Sequence, residues 1–473
     1  MVGRAMRPAA RGSHRGALFG VCLGAALLAA GCTRTAPRPP VLLITLHGLR
    51  ADVVGAFGGP RGLTPHFDAF AEAATAKVRA VAPASSGGPA LAALFTGLRP
   101  WQSQVLYDGL PLSRRFATLP SVLAEAGYRT SGFTEDPTLR RAGGFINGFE
   151  LLQAQTLRAR TEIERRLCGP EPGFVWVHFD LVSTGYQRHD AFLAQAGGAS
   201  STLPEALSRA EIERLPDAAT PAERAAASTL YRSGVAEADA QVGELLDALR
   251  DCGHFDAALV AVLGDHGEGL GENGAAGHGN GLGRDQVEVP FALKLPLGSP
   301  RTAALAVPAT ERVSTTRLYA TVLDALAFRV PPGVAPPLSV RDGGGAESEA
   351  YRLDGENLFS LVEGDLQLVR SVRFAPADPV YAAARRAMLD PVARDGMLRA
   401  PKAVINQLTR AFRRTLPYRD RGDVQLELRR WLPGGGSEPV TDPATLARLD
   451  QALERAYFRF VAQELTPAEA RRR

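Results

Sequence analysis

Ala258-Leu259-Val260-Ala261-Val262-Leu263-Gly264-Asp265-His266-Gly267-Glu268 is the stretch that decides the fold. Six apolar residues in a row, several of them β-branched, suit a strand buried on both faces of a parallel sheet. The first polar residues after that run are a carboxylate and an imidazole, Asp265 and His266. They stand at the carboxyl end of the strand, where ligand sites of open α/β sheets collect. Oxygen and nitrogen donors in adjacent positions can share a divalent cation.

Working outward, Val41–Leu46, Arg129–Thr134, Phe174–Phe179 and Phe291–Leu295 carry the same buried-strand signature. Helical patterns alternate with them over Thr64–Ala76, Pro89–Thr96, Leu119–Ala126 and Pro221–Arg250. Thr220 and Pro221 supply the N-cap and first turn of the last. Strand and helix in alternation predict an α/β sandwich with a mostly parallel central sheet flanked by helices. Residues 185–216 read as a polar surface excursion, and 331–349 as a linker or loop. Beyond it, an alternating stretch at 425–432 and an amphipathic helix at 446–462 predict a smaller C-terminal α+β subdomain over 350–473.

His47 ends the first strand and belongs on the same sheet edge as Asp265 and His266. His278 follows twelve residues after His266, in a glycine-rich loop. Any one histidine is ordinarily a hydrogen-bonded surface or loop residue. Grouped at strand ends with an aspartate, they become candidates: His47, Asp265 and His266 for a metal, and His278 for catalysis or substrate binding.

The chain has 473 residues, 45% hydrophobic and 22% charged, with a formal net charge of +4. That composition is ordinary for a globular protein. Its basic residues are dispersed and not interleaved with aromatics, so nothing marks a nucleic-acid partner. Arg4, Arg7, Arg11 and Arg15 precede an apolar run, Gly16–Ala30, that is short for a membrane span. It closes in Leu28-Ala29-Ala30-Gly31-Cys32, which resembles a bacterial lipoprotein lipobox. The resemblance implies a signal peptide over 1–32, a lipidated Cys32, a tether over 33–40, and a membrane-anchored protein on the periplasmic or cell-surface side. An ordinary secretory signal containing a cysteine is the alternative.

Export permits disulfides. Cys168 and Cys252 each precede a predicted strand. If those strands are neighbours, the two residues start on the same sheet edge and a bridge between them becomes available.

Further segments complete a pattern. Leu49-Arg50-Ala51-Asp52 follows His47. Thr64-Pro65-His66-Phe67-Asp68 opens a helix. Ala126-Gly127-Tyr128-Arg129-Thr130, Gly148-Phe149-Glu150, His278-Gly279-Asn280 and Val289-Pro290 follow in order. Together with Asp265-His266-Gly267-Glu268, they resemble the sulfatase family of the alkaline phosphatase superfamily over about residues 40–300, and more faintly to 450. The resemblance implies an α/β sandwich of 41–330, a metal-assisted ester hydrolase, and an anionic ester or glycan as ligand.

Several positions depart from that family's pattern. His47 stands where the family has its first metal-binding aspartate. Gly87 stands at the nucleophile, before Pro89 and Leu94-Phe95-Thr96-Gly97. Ala90 and Leu91 replace the following serine and basic residue. Ser183 replaces a catalytic histidine downstream of His178. Glycine has no side chain to attack sulfur or phosphorus. The backbone amides at the start of the helix can still hold an anion. The expectation is therefore a sulfatase-like exported lipoprotein, impaired or inactive as a sulfate-ester hydrolase and acting by binding. The alternative is a metal-dependent hydrolase of sulfate or phosphate esters, with a rebuilt His/Asp site holding zinc or calcium and a metal-bound water as attacker. Imidazole donors favour zinc in that alternative. Ser86 offers a displaced nucleophile if the Gly87-Gly88 loop slips by one residue; otherwise Ser85 and Ser86 are turn residues.

Overall fold

The computed structural model describes residues 38–136, 139, 144–145, 147–154, 159–199, 203–305, 311–338, 345–351, 356–374, 422–433 and 436–464. The expected signal peptide, Cys32 and all but the last residues of the expected tether lie outside them. No helix among the described residues is long and apolar enough to cross a membrane.

The predicted apolar strands all form, and they lie side by side. The strands are β1 (Val41–His47), β2 (Ala76–Val81), β3 (Arg129–Thr134), β4 (Leu151–Gln153), β5 (Gly173–Asp180), β6 (Leu259–Gly264), β7 (Glu288–Lys294) and the short β8 (Val313–Ser314), and three of them, β2, β4 and β8, are not announced by the sequence. Their order in one 8-stranded sheet is β8-β2-β7-β6-β1-β5-β3-β4. Pairing is parallel throughout except that β7 runs against both β2 and β6.

Alternate side chains of β1 enter opposite cores. Leu42, Ile44 and Leu46 join Val175, Val177 and Val260 on one face. Val41 and Leu43 join Phe174, Trp176 and Leu259 on the other. The first face is covered by α1 (Pro65–Ala73), α4 (Ala159–Leu167) and the long α5 (Pro221–Asp251). The second is covered by α2 (Gly87–Thr96), α3 (Leu119–Glu125) and α6 (Leu318–Ala325). In α5 the expected cap is in place: Thr220 Oγ1 accepts from the Glu223 amide at 3.2 Å, and the Thr220 amide donates to the Glu223 carboxylate.

Several expectations are corrected. The helix expected over 64–76 stops at Ala73, and Ala76–Val81 is a strand. Lys77 and Arg79 alternate there with buried Ala76, Val78 and Ala80. One face is thus partly polar, and the run never looks continuously apolar. The loop expected over 331–349 already becomes strand at Ala346. There β9 (Ala346–Tyr351), β10 (Glu356–Glu363), β11 (Leu366–Phe374), β12 (Gly422–Trp431) and β13 (Ser437–Pro439) form an antiparallel sheet beneath α7 (Pro443–Glu464). Residues 185–216 are not merely a surface excursion. Tyr186–Gln187 pairs with Ala206–Leu207, a short helix spans Arg209–Glu213, and Tyr186 and Ile212 are buried.

Cys168 and Cys252 form a disulfide, with Cα atoms 5.9 Å apart. They precede β5 and β6, which are separated by β1, so the condition of neighbouring strands under which the bridge was expected is not met. The bridge instead links the ends of α4 and α5, which pack together on one face.

Candidate functional site

Strand register builds the site. Thr45 lies opposite His178, and His47 opposite Asp180, across β1 and β5. On the other side of β1, Leu46 lies opposite Gly264, the residue before Asp265. His47, His178 and Asp265 therefore meet at one edge because three parallel strands end together. His47 and Asp265 were expected there; His178 was seen in sequence only as part of a motif.

The His47 imidazole is buried, with Nδ1 2.9 Å from Asp265 Oδ2 and 3.1 Å from His266 Nε2. The amides of Gly48 and His266 both donate to Asp265 Oδ1. Burial opposes a charge on His47, yet the Asp265 carboxylate overcomes it and lifts the imidazole pKa to about 10. Asp265 moves the opposite way. Burial works against its ionisation, but the neighbouring His266 and His47 rings hold it well below the usual carboxylate range. Each group thus favours the charged form of the other. Burial, against the pull of Asp265 and with the charge of His47, depresses His266 to about 4.

His278 completes the group of rings, its centroid 5.2 Å from that of His47 and 4.8 Å from that of His266. Its Nδ1 is 2.7 Å from Glu268 Oε2, and its Nε2 faces Arg209 Nη1 at 2.9 Å. Tyr186 donates to the other Glu268 oxygen at 2.8 Å. Burial, reinforced by the Arg209 charge, pushes the His278 pKa well below the ordinary imidazole value. Burial raises that of Glu268. Arg209, Glu268 and Tyr186 were not assigned roles from sequence. Arg209 comes from the 185–216 segment, which matches no motif.

Gly87 opens α2 directly against this centre. A Cβ built on it would stand 2.6 Å from His47 Cε1 and 2.9 Å from His47 Nδ1. The imidazole of residue 47 fills the space a side chain at 87 would need. Ser86 is the residue before the helix, and its hydroxyl makes no hydrogen bond among the described residues. The helix N-terminus is not open to an outside anion at every amide, as the sequence reading assumed. The Gly88 amide already donates to Asp108 Oδ1 at 2.7 Å.

Arg50 is a strut. It pairs with Asp52 and Glu272 and donates to the Glu268 carbonyl, tying the end of β1 to the loop after β6. Two overlapping groups can hold a metal ion, His47 with His266 and His278, and His47 with His178 and Asp265, each with donor atoms within 4.8 Å of one another.

Residues 39–328 match the Sulfatase family. The chain belongs to the sulfatase family. It is 27% identical to human N-sulphoglucosamine sulphohydrolase over 279 residues, which cover 51% of this chain and 53% of that protein. The match thus spans about half the length of its curated relative. Among solved structures, it is similar to a 2-O GAG sulfatase, with TM-score 0.57 and 17% identity over 86% of this chain and 96% of that one. It is also similar to the phosphonate monoester hydrolase of Agrobacterium radiobacter, with TM-score 0.55 and 20% identity over 76% of this chain and 96% of that one. A third similar structure is titled as a complex with its substrate D-glucosamine-2-N,6-O-disulfate, with TM-score 0.54 and 14% identity over 81% of this chain and 100% of that one. These likenesses show the fold: a mostly parallel sheet flanked by helices, with a small antiparallel sheet after it.

Within this sulfatase-family fold, the retained Asp265-His266-Gly267-Glu268 segment lies at the centre of the site. Gly87 opens the helix facing it.

Proposed function

We propose that this sulfatase-family chain binds an anionic, sulfated glycan at the β1–β6 edge and does not hydrolyse it. One observation carries the reading: the place for a side chain at position 87 is filled by the His47 ring. A nucleophile there would need both a different residue 87 and a displaced residue 47. Arg209 supports an anionic ligand, since its guanidinium brings a positive charge beside His278 and keeps one third of its surface exposed. The relatives named for N-sulphoglucosamine, GAG sulfate and glucosamine disulfate supply the ligand class.

The same reading places the protein outside the cytoplasm, anchored by a lipid on Cys32. The Cys168–Cys252 disulfide supports an oxidising compartment. The test is to titrate the purified full-length chain with sulfated glucosamine mono- and disaccharides, following heat of binding and free sulfate together. Saturable binding with sulfate release at the level of buffer alone is expected. Sulfate release that scales with protein and persists in Ser86→Ala overturns the non-hydrolytic reading. It would instead support the second one, hydrolysis by a metal-bound water, which the paired His and Asp donors favour.

A further inference from the structure

We propose that His47, His178 and Asp265, with His266 beside them, form a site that selects a zinc-class divalent cation over calcium. The proposal deepens the reading of a rebuilt site and concerns the cation alone.

The hydrogen bonds around the rings carry it. His266 Nδ1 lies 2.7 Å from the Gly267 carbonyl, which can only accept, so that nitrogen holds the ring proton and Nε2 presents a lone pair inward. His178 is also held through Nδ1. Its Nδ1 pairs with Thr45 Oγ1 at 2.8 Å, and that hydroxyl is itself fixed by the Trp176 indole N–H at 3.0 Å. His178 Nε2 is buried and makes no hydrogen bond among the described residues, and the residue is only 1% exposed. A ring held through one nitrogen, with the other left to a buried centre, is the arrangement of a metal-bound histidine. A buried polar atom without a partner costs free energy, and a cation on it removes that cost.

The count of protons agrees. His47 Nδ1 carries at most one hydrogen, and two acceptors compete for it, Asp265 Oδ2 at 2.9 Å and His266 Nε2 at 3.1 Å. Donors on a tetrahedral zinc, each about 2.0–2.1 Å from the ion, lie about 3.3 Å apart. Lone pairs this close are what chelation requires. His278 is excluded from the set because both of its nitrogens are committed, Nδ1 to Glu268 and Nε2 to the Arg209 cation.

The donor chemistry sets the metal. Calcium takes six to eight oxygen ligands. Here the carboxylate of Asp265 stands among imidazoles, and the neighbouring Asp180 Oδ1 is occupied by the amides of Val182 and Ser183. Imidazole-rich sets suit zinc, copper and nickel.

The test titrates the metal-stripped full chain with Zn2+ and separately with Ca2+ by calorimetry, with Co2+ absorption as a second readout. One zinc per chain is expected, bound at least about a hundredfold more tightly than calcium, with the intense visible bands of low-coordinate cobalt. His47→Ala, Asp265→Ala and His178→Ala should each weaken zinc by at least about tenfold, while His254→Ala, whose ring pairs with the Leu167 carbonyl outside the site, leaves it unchanged. Calcium binding as tight as zinc, or His178→Ala binding zinc like the wild type, overturns the proposal. If His178→Ala does not fold, the cobalt spectrum of the wild type decides alone: weak octahedral bands overturn the assignment. Zinc binding in a chain with no affinity for sulfated sugars would defeat the earlier reading and leave this one intact.

Discussion

His47 and Gly87 occupy one space. The imidazole of the first stands where a Cβ of the second would be, at 2.6 Å. Two positions distant in sequence thus form a single steric unit. Replacing only one of them is expected to fail. Gly87→Ala should destabilise the chain by about 1–3 kcal/mol, the usual cost of overpacking. In a His47→Ala background, the same change should cost less than about half as much, because the clash is gone. Denaturant midpoints of the four chains measure this. An equal cost in both backgrounds would mean that the ring moves aside freely and the two sites are independent.

The disulfide closes a long stretch of chain, with a separation of 84 residues. β5, the 185–216 segment and α5 lie between its ends. Cross-links of that span typically stabilise by about 2–5 kcal/mol, chiefly by restricting the unfolded chain. Replacing both Cys168 and Cys252 by Ser should lower the unfolding midpoint by that amount, and reductant should then have no further effect. An unchanged midpoint in the double variant would show that α4 and α5 hold each other without it.

The sheet was legible because strands covered on both faces read as apolar runs, as in Leu42-Leu43-Ile44 and Leu259-Val260-Ala261. β2 was missed because Lys77 and Arg79 break its run, and Arg79 finds its partner, Glu288, on β7 far along the chain. β10 and β11 were missed for a similar reason, since buried polar residues break their runs, Glu356, Asn357 and Ser360 in the first and Gln367 and Arg370 in the second. For the site, strand ends announced His47, Asp265 and His266. What an irregular segment folds back onto those ends was not readable. Arg209 sits in a stretch with no periodicity, and only its contact with His278 gives it a role. Glu268 was visible in the motif, but its function as the anchor of His278 needs the loop geometry. That residue 87 is a glycine was plain from sequence; that the His47 ring fills the space beside it was not.

Acid should probe the packing of α4 against β3. Burial alone would raise the Glu162 pKa, yet Arg165, Arg166 and the Ser131 hydroxyl outweigh it and hold the carboxyl at about 2. A carboxyl whose folded pKa lies below its unfolded value stabilises the fold above the unfolded value. Here that contribution is complete above 4.5 and is lost as pH falls towards about 2. Glu162→Gln should therefore be less stable than the wild type at pH 6, and the two should converge between pH 4.5 and 2. Urea midpoints across that range test it; curves that stay parallel down to pH 2 would remove Glu162 from the acid response.

Arg209 gives the sharpest test of how the 185–216 segment serves the site. Its Nε pairs with Glu213 at 3.0 Å, while Nη1 and Nη2 reach the ring and carbonyl of His278. The fork is thus aimed and held before any ligand arrives, which lowers the cost of ordering it on binding. A charge-assisted hydrogen bond contributes about 1.5–3 kcal/mol. Arg209→Ala should weaken a sulfated sugar by about ten- to a hundredfold. Arg209→Lys should recover only part of this, because an ammonium keeps the charge and loses the planar fork. The loss should shrink at high salt, since screening weakens the partly exposed cation in the wild type too. Calorimetry at low and high ionic strength separates the outcomes. An Arg209→Ala chain that binds the sugar as the wild type does would reduce Arg209 to a brace for His278, and the anion would have to be met by the buried centre itself.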